Sequence, residues 1–305
     1  MLIVLLCALL LDYFFAEPQK YHPLVGFGYL AEKLELRLNE PHAEKTIDQK
    51  RINGFIAVLI FLLPAWWLTD LIIADNLLGM GIEIAILYLA LGLSSLKQHA
   101  RKIMASLKSD QLEQARHDLA MIVSRDTEQM DSEDVSRAAT ESVLENGNDA
   151  VFATIFWFVV AGAPGVVVFR LANTLDAMWG HKTERYNDFG FFIAKLDDLL
   201  NYIPARLTAL AYAFMGNWDN ATKCWSRQAS FWESTNAGVV MSAGAGALDV
   251  QLGGGDQYHG EYKDRPELGC GKKADPKTID HACRLLNRST ILWACVVGLI
   301  SLISW

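Results

Sequence analysis

Apolar residues in this chain gather into a few long blocks separated by charged stretches, a rhythm of membrane crossings rather than the short alternation of a soluble sheet. Residues 1–16 are almost wholly apolar, but at about 1.5 Å per residue they reach only about 24 Å, short of a ~30 Å hydrocarbon core. They predict the weakest span, or a helix tilted into an interface. With no basic residue ahead of the apolar run and no small-x-small site before Glu17-Pro18, this segment is expected to persist as an anchor rather than be cleaved. Residues 52–68 and 77–96 predict two further spans. Residues 151–169 form another apolar block, but Gly162-Ala163-Pro164-Gly165 divides it into halves too short to cross alone. A re-entrant helical hairpin fits that division, and a plain span is the alternative. Residues 204–216, with Arg206 near their start, fit a buried or interfacial helix. Residues 290–305 predict a terminal span with Trp293 and Trp305 at the interface.

Charge orients these blocks. The turn between the second and third carries Asp70 and Asp75 and no Lys or Arg, whereas the flanking segments hold Lys20, Lys33, Arg37, Lys45, Lys50 and Arg51 on one side and Lys97, Arg101, Lys102, Lys108, Arg116, Arg125 and Arg137 on the other. The positive-inside rule puts both basic segments in the cytoplasm. The hairpin reading keeps Arg170, Lys182, Arg185, Lys195 and Arg206 on that side too. The expected fold is therefore an all-α polytopic membrane protein of about four to five transmembrane helices, with a re-entrant hairpin and cytoplasmic helical and loop segments (17–51, 97–150, 170–203 and 217–289). No linker, repeat or low-complexity run appears, so residues 1–305 are expected to form one integrated domain in the inner (cytoplasmic) membrane. Residues 96–148 read as helical and solvated, and residues 242–271, rich in glycine, as irregular loops.

Composition agrees with a membrane protein that keeps aqueous parts: 52% of the 305 residues are hydrophobic and 20% charged. A net charge of -8 with no basic stripe argues against nucleic acid as a partner. The five cysteines include no C-x-x-C pair and the seven histidines no H-x-x-x-H spacing, which argues against a disulfide framework and a histidine-built zinc site. Ser and Cys nucleophiles lack a recognisable elbow or adjacent base.

Three polar groupings are candidates for chemistry. Arg137, Glu141, Glu145 and Asp149 recur every four residues and would line one helix face. That face suits a magnesium ion, which prefers oxygen ligands, and equally a solvated surface with Arg137 and Glu141 paired. Nearby Asp126 and Glu128 sit where Ser124 or Asp131 can cap helices, so capping explains part of this acidity. A second grouping runs from Asn173 and Asp176 through Glu184, Arg185 and Tyr186 to Asp197, Asp198, Asn201 and Arg206, charged positions in otherwise apolar surroundings. The third places Tyr258, His259, Glu261 and Arg265 beside Gly253, Gly254 and Gly255. Arginine with free backbone N–H groups suits phosphate, although neither G-x-x-x-x-G-K-[ST] nor G-x-G-x-x-G is present.

Taken together, the stretches RDTEQMDSEDVSRAATESVLENGNDAVFATIFWF, NTLDAMWGHKTERYNDFGFFIAKLDDLLNYIPARLTAL and WESTNAGVVMSAGAGALDVQLGGGDQYHGE closely resemble the CobD/CbiB family of cobalamin biosynthesis, the adenosylcobinamide-phosphate synthases. The opening LLDYFFAEPQKYHPLVGFGYLAEKLE resembles the family's D-x-x-x-x-(D/E)-P…HP…G pattern through Asp12, Glu17, Pro18, His22, Pro23 and Gly26, so the likeness covers nearly the whole chain. Glu17 stands where aspartate is commoner, and the segment after Gly271 is more basic than the family pattern.

The resemblance implies an ATP-dependent amide ligase that joins a carboxylate of adenosylcobyric acid, a corrinoid, to aminopropanol or its phosphate. ATP and Mg²⁺ would be its cofactors, the lipid bilayer its setting, and other membrane-associated cobalamin-assembly proteins its partners. On that basis Asp126, Glu128, Glu141, Glu145 and Asp149 are expected to handle the metal and ATP. Arg125, Arg185, Arg206, Arg265, Gly253 and Gly254 are expected to bind phosphate or the substrate carboxylate. Asp197, Asp198, Asn201, His259 and Glu261 are expected to orient substrate or move the amine proton. Two rivals stand beside this reading. One is a membrane regulatory protein of the AmpE type, which would have little need for the full RDTE, ERY, LDDLLNYIPAR and YHGE set. The other is a transporter, which would carry ionisable residues within several spans and a matched pair of broken helices.

Overall fold

The computed structural model describes residues 1–18, 22–40, 45–258 and 260–303. Its helices are α1 (Leu2–Phe15), α2 (Pro23–Leu38), α3 (Ile47–Ile72), α4 (Leu77–Ala90), α5 (Leu93–Lys108), α6 (Leu112–Ala120), α7 (Ser132–Gly147), α8 (Ala153–Trp179), α9 (Phe191–Met215), α10 (Trp218–Gln228), α11 (Ala237–Ala247) and α12 (Pro276–Ile303). A π-helical turn, Asn148–Phe152, carries α7 into α8 without a gap. Four short strands, β1 (Gln251–Gly253), β2 (Asp256–Tyr258), β3 (Glu261–Lys263) and β4 (Glu267–Gly269), pair antiparallel as β1 with β4 and β2 with β3. Among the described residues, four helical segments are long and apolar enough to cross a bilayer: Ile47–Ile72, Leu77–Lys108, Ser132–Trp179 and Pro276–Ile303. Exposed apolar side chains such as Leu63, Trp67, Ile291 and Leu302 are the surface such helices offer to lipid. Helix α1 is apolar but shorter. This is the expected all-α polytopic membrane architecture.

The contacts divide the chain into two compact units, residues 1–92 with 154–201 and residues 93–153 with 202–305. Each unit joins two separated stretches of sequence, so no linker marks a boundary. In the first unit α1 packs on α4, and the Tyr88 hydroxyl donates to the Ala16 carbonyl at 2.8 Å. Its core gathers Ala57, Val58 and Leu62 of α3 against Ala172, Leu175 and Trp179 of α8, with Phe189 and Ile193 beside them. Trp179 and Phe189 meet edge to face at 5.1 Å, a favoured aromatic geometry.

Helix α8 bends where the Gly-Ala-Pro-Gly run stands. Ala161 and Gly162 leave helical geometry, and Gly162 adopts φ 61, ψ -158, a conformation open essentially to glycine alone. A Cβ placed on Gly165 would lie 2.8 Å from the Trp157 carbonyl oxygen. Eight residues of straight helix advance about 12 Å, so the chain folds back sharply here.

In the second unit α7 is central, packed by α5, α6, α11 and α12. Its start is fixed by a capping box: Asp131 accepts from the Asp134 N–H at 2.8 Å, and the Asp134 carboxylate accepts from the Asp131 N–H. The Tyr212 hydroxyl donates to the Leu144 carbonyl at 3.0 Å and Thr208 to the Asn148 side chain at 2.9 Å, which ties α9 to the π turn. Phe152 stacks on Trp293 of α12.

Several sequence expectations need correction. Residues 96–148 are not a solvated helix: they form α5, α6 and α7, and α7 is buried from Val135 through Leu144. Small Ser136, Ala138, Ala139 and Thr140 let neighbours approach, and the Ser136 and Thr140 hydroxyls donate to the Ser132 and Ser136 carbonyls one turn back. The 77–96 span is present within the apolar segment Leu77–Lys108, with a break at Leu91–Gly92 that divides α4 from α5. Residues 204–215 keep the expected helical and largely buried character, but as the second half of the 25-residue α9, which continues through Pro204. The terminal span begins at Pro276, well before residue 290; Trp305 lies outside the described residues. The glycine-rich segment begins as a buried helix, α11, and only then turns into hairpins. Packing explains the glycine at 246: an added Cβ would lie 2.4 Å from the Asn220 carbonyl oxygen, so glycine permits the close approach of α11 to α10.

Candidate active site

The helical spacing of Arg137 and Glu141 puts both on the face of α7 that meets the loop after α6 and the strands after α11. Glu141 is fully buried, and its carboxylate is engaged by the backbone and by three guanidinium groups, with Arg265 Nη2 approaching Oε2 at 3.5 Å. The Gly253 N–H donates to Oε1 at 2.7 Å, Arg125 Nη2 lies 2.8 Å from Oε2, and Arg137 Nη1 lies 3.6 Å from Oε1. Asp256, at the start of β2, forms the second centre. Arg125 Nη1 donates to its Oδ2 at 2.6 Å, Arg265 Nη2 to Oδ2 at 2.9 Å, and Arg137 Nη2 to Oδ1 at 2.7 Å. Arg137 Nη1 also donates to the Gly253 carbonyl at 2.8 Å. Three guanidinium groups thus surround two buried carboxylates, an arrangement that compensates buried charge only because every group is matched by hydrogen bonds. Burial tends to raise the Asp256 carboxyl, but the Arg137 hydrogen bond and the charges of Arg125, Arg137 and Arg265 hold it below its ordinary value.

Two residues of this cluster, Arg125 and Arg265, line a cavity of about 350 Å³ together with Ser124, Ser142, Glu145, Asn146, Asp149 and Tyr258. Such a volume suits a small-molecule ligand. Arg265 is clamped between aromatic faces, its guanidinium carbon 4.7 Å from the Trp232 ring centre and 5.5 Å from that of Tyr258. Glu145, one turn beyond Glu141, lines the same cavity, and among the described residues its carboxylate has no hydrogen-bond partner. Asp149 lines it from the π turn and accepts from the Asn148 amide at 2.8 Å. The cavity therefore joins directed cationic donors to carboxylates facing the same space. A second cavity, about 240 Å³, lies beyond Arg137 and is lined by Gly253, Gly254, Gly255, Glu133 and Lys273.

The structure brings some of the expected residues together and separates others. Glu145 and Asp149 line the larger cavity with Arg125 and Arg265, and Gly253 and Gly254 line the smaller. Glu141 is not part of either cavity's lining, its oxygens being engaged by arginine and backbone. Asp126 holds the β2–β3 hairpin: its Oδ2 accepts from the Gly260 N–H at 2.7 Å and its own N–H donates to the Gln257 carbonyl at 2.9 Å. Glu128 lies exposed on the following turn, and Glu261 exposed on β3. Among the described residues no group of three or more His, Cys, Asp and Glu side chains is placed to hold a metal ion, so the five expected metal residues do not converge as one protein cage. His259 lies outside the described residues. Arg206 bonds the Tyr202 carbonyl and the Asn236 side chain, each at 2.8 Å, away from the cavity lining. Arg185, in the first unit, is paired with Glu35 through Nε at 3.0 Å and Nη2 at 2.5 Å. Asp197, Asp198 and Asn201 also belong to the first unit, where the Asn173 and Asn201 amides donate to Asp197 at 3.4 and 3.1 Å.

Asp256 is the site residue that sequence reasoning passes over. The signal available was electrostatic: a buried Glu141 face attended by arginines needs a second carboxylate, and Asp256 directly follows the Gly253–Gly255 run.

The chain matches the family model for CobD/Cbib protein over residues 5–286. It is 50% identical over 295 residues to the cobalamin biosynthesis protein CobD of Chromobacterium violaceum, covering 95% of this chain and 93% of that one. It is 51% identical over 290 residues to that of Stutzerimonas stutzeri, covering 95% and 94%, and 37% identical over 324 residues to that of Brucella anthropi, covering 98% of each. No solved structure matches the chain at a significant level. Every residue of the arginine–carboxylate cluster lies inside the matched span, and the chain belongs to the CobD/CbiB family of cobalamin biosynthesis.

Proposed function

We propose that this protein is the ATP-dependent amide ligase that joins adenosylcobyric acid to aminopropanol or its phosphate, giving adenosylcobinamide or its phosphate, at the cytoplasmic face of the inner membrane. The observation that carries the reading is the cavity in which Arg125 and Arg265 face Glu145 and Asp149. Making an amide from a carboxylate and an amine requires the carboxylate to be activated, and phosphoryl transfer from ATP is activation of the kind that such a charge arrangement serves.

The residues present fit the two groups that this chemistry needs. Mg²⁺ commonly sits on one or two carboxylates together with substrate phosphates, rather than in an all-protein cage. Glu145 and Asp149 offer that donor set, and the ion would neutralise charge on the phosphates. Arg125 is fixed by Glu141 and Asp256, and Arg265 by Asp256 and two aromatic rings, so both donate from set positions without reorganising as negative charge develops. Tyr258 closes one wall of the cavity. Asp197, Asp198 and Asn201, with His259, keep a proposed part in orienting the substrate or taking the amine proton. The basic residues flanking the apolar blocks support the cytoplasmic orientation. Further membrane-associated proteins of corrinoid assembly are the partners this setting suggests.

The test supplies membranes containing the protein with adenosylcobyric acid, ATP, Mg²⁺ and either aminopropanol or its phosphate, beside membranes containing Glu145→Gln. Amide product that requires ATP, and that falls sharply in the variant, is the expected result. No amide with either amine would overturn the ligase reading. A folded and fully active variant would leave the ligase standing and remove Glu145 from the site.

A further inference from the structure

Cys224 and Cys270 lie 46 positions apart in sequence, yet the fold holds them side by side. Cys224 sits on α10 one turn before Gln228, whose side-chain amide clasps the backbone of β4: Nε2 donates to the Gly269 carbonyl at 2.9 Å, and the Gly269 N–H donates to Oε1 at 2.7 Å. Cys270 follows directly and is pinned by its own N–H, which donates to the Val250 carbonyl at 3.1 Å. Gln228 and Cys224 share one face of α10, so that double clasp sets residue 270 beside the turn that carries Cys224. Both are free thiols, Cys224 buried and Cys270 half-buried.

We propose that Cys224 and Cys270 are a covalent modification site, a thiol pair that a peroxide converts reversibly into a disulfide. The Cys270 sulfur attacks one peroxide oxygen and the O–O bond breaks, giving sulfenic acid at Cys270 and one molecule of water from hydrogen peroxide. The Cys224 sulfur then displaces the sulfenic hydroxyl. The S–S bond forms and a second water leaves with the thiol proton, so two thiols are oxidised as one peroxide is reduced. Position sets this order: burial, followed by the neighbouring Cys270 thiol, pushes Cys224 up to about 12, so it does not react first and passes its proton to the departing hydroxyl as its sulfur attacks, whereas Cys270 is reachable from outside. The bond would tie α10 to β4. Because β4 pairs with β1, whose Gly253 holds Glu141, the modification reaches the arginine–carboxylate cluster through backbone pairing. Cys7, Cys283 and Cys295 have no such neighbour among the described residues, and they serve as internal controls.

The experiment treats the purified full-length protein in detergent with hydrogen peroxide, alkylates remaining thiols after denaturation, and maps peptides by mass spectrometry without reduction. The expected result is a peptide cross-linked through residues 224 and 270, loss of two alkylatable thiols, and recovery of both with dithiothreitol. Cys270→Ser should abolish the cross-link and leave Cys224 fully alkylatable; Cys224→Ala should leave Cys270 trapped as its sulfenic acid by dimedone. The proposal is overturned if wild-type Cys224 stays alkylatable while Cys270 proceeds to the sulfinic acid. It is equally overturned if Cys295 oxidises while both thiols of the pair survive, or if the disulfide joins other cysteines.

Discussion

Arg137 and Asp256 are bound fork to fork across 119 positions of sequence, with Nη1 3.0 Å from Oδ2 and Nη2 2.7 Å from Oδ1. Arg125 and Arg265 complete the hold on the same carboxylate. Asp256 thus accepts hydrogen bonds from all three guanidiniums, and its removal affects the whole cluster.

Asp256→Ala leaves buried arginines short of a counter-charge, and breaking one partner out of a buried ion pair costs about 3–5 kcal/mol. We expect a large drop in the thermal unfolding midpoint of the detergent-purified protein. Asp256→Asn, which still accepts hydrogen bonds, should lose less. Equal stability of Asp256→Ala and wild type would show that the cluster does not hold the unit together.

Because the Asp256 carboxyl is held below its ordinary 3.8, its contribution to stability is fully present above that value and is lost as pH falls through the lower folded value. Wild type should therefore lose stability on acidification below about pH 4. Asp256→Asn, less stable at neutral pH, should show a shallower acid decline, with the two curves converging at low pH. Unfolding midpoints collected from neutral to acid pH for both proteins check this, and parallel curves would count against it.

Gly246 and Gly244 lie on one helix, yet their substitution should differ. A Cβ at Gly246 meets the Asn220 backbone at 2.4 Å, whereas at Gly244 it meets the Leu144 methyl groups at 2.8 Å. Backbone yields less readily than a side-chain end, so Gly246→Ala should cost roughly 1–3 kcal/mol and Gly244→Ala less. Thermal denaturation of the two variants in the same detergent orders them.

Arg265→Lys keeps the charge but loses the planar group held against Trp232 and Tyr258. A lysine cannot reproduce that stacking together with the paired donors. In the amide-forming assay the KM for ATP should rise roughly tenfold, about 1.4 kcal/mol of lost binding, with a smaller change in kcat. An unchanged KM would place ATP elsewhere.

What the sequence disclosed follows from which interactions are local. Continuous apolar runs such as residues 52–68 are readable because lipid demands them of each helix separately. The sharp bend at Gly162 is readable because proline and glycine act on their own backbone. The four-residue spacing of Arg137, Glu141 and Glu145 shows one helix face, and α7 has it. Whether that face meets water or protein is not written in the spacing, since water and a distant guanidinium satisfy Glu141 alike. Asp256 escaped notice for the same reason: its partners come from α7, the loop after α6 and the strand region. The buried α11 looked like loop because its alanines and glycines serve packing, and small residues show that use only when the neighbouring helix is seen.

The discontinuous units have a consequence for the order in which the protein comes into being. The first closes with residue 201, so every segment it needs has left the ribosome while Asp256 and Arg265 are still unmade. The second begins with residue 93 but waits for residues 202–305, and through that interval Glu141 lacks the Gly253 N–H and Arg125 and Arg137 lack Asp256. Long-range pairing of this kind is slow to form and exposed to misassembly. During biogenesis the charged face of α7 therefore waits for residues 202–305 before Gly253, Asp256 and Arg265 can engage it, and a chain released before then is a first unit joined to an unfinished second one.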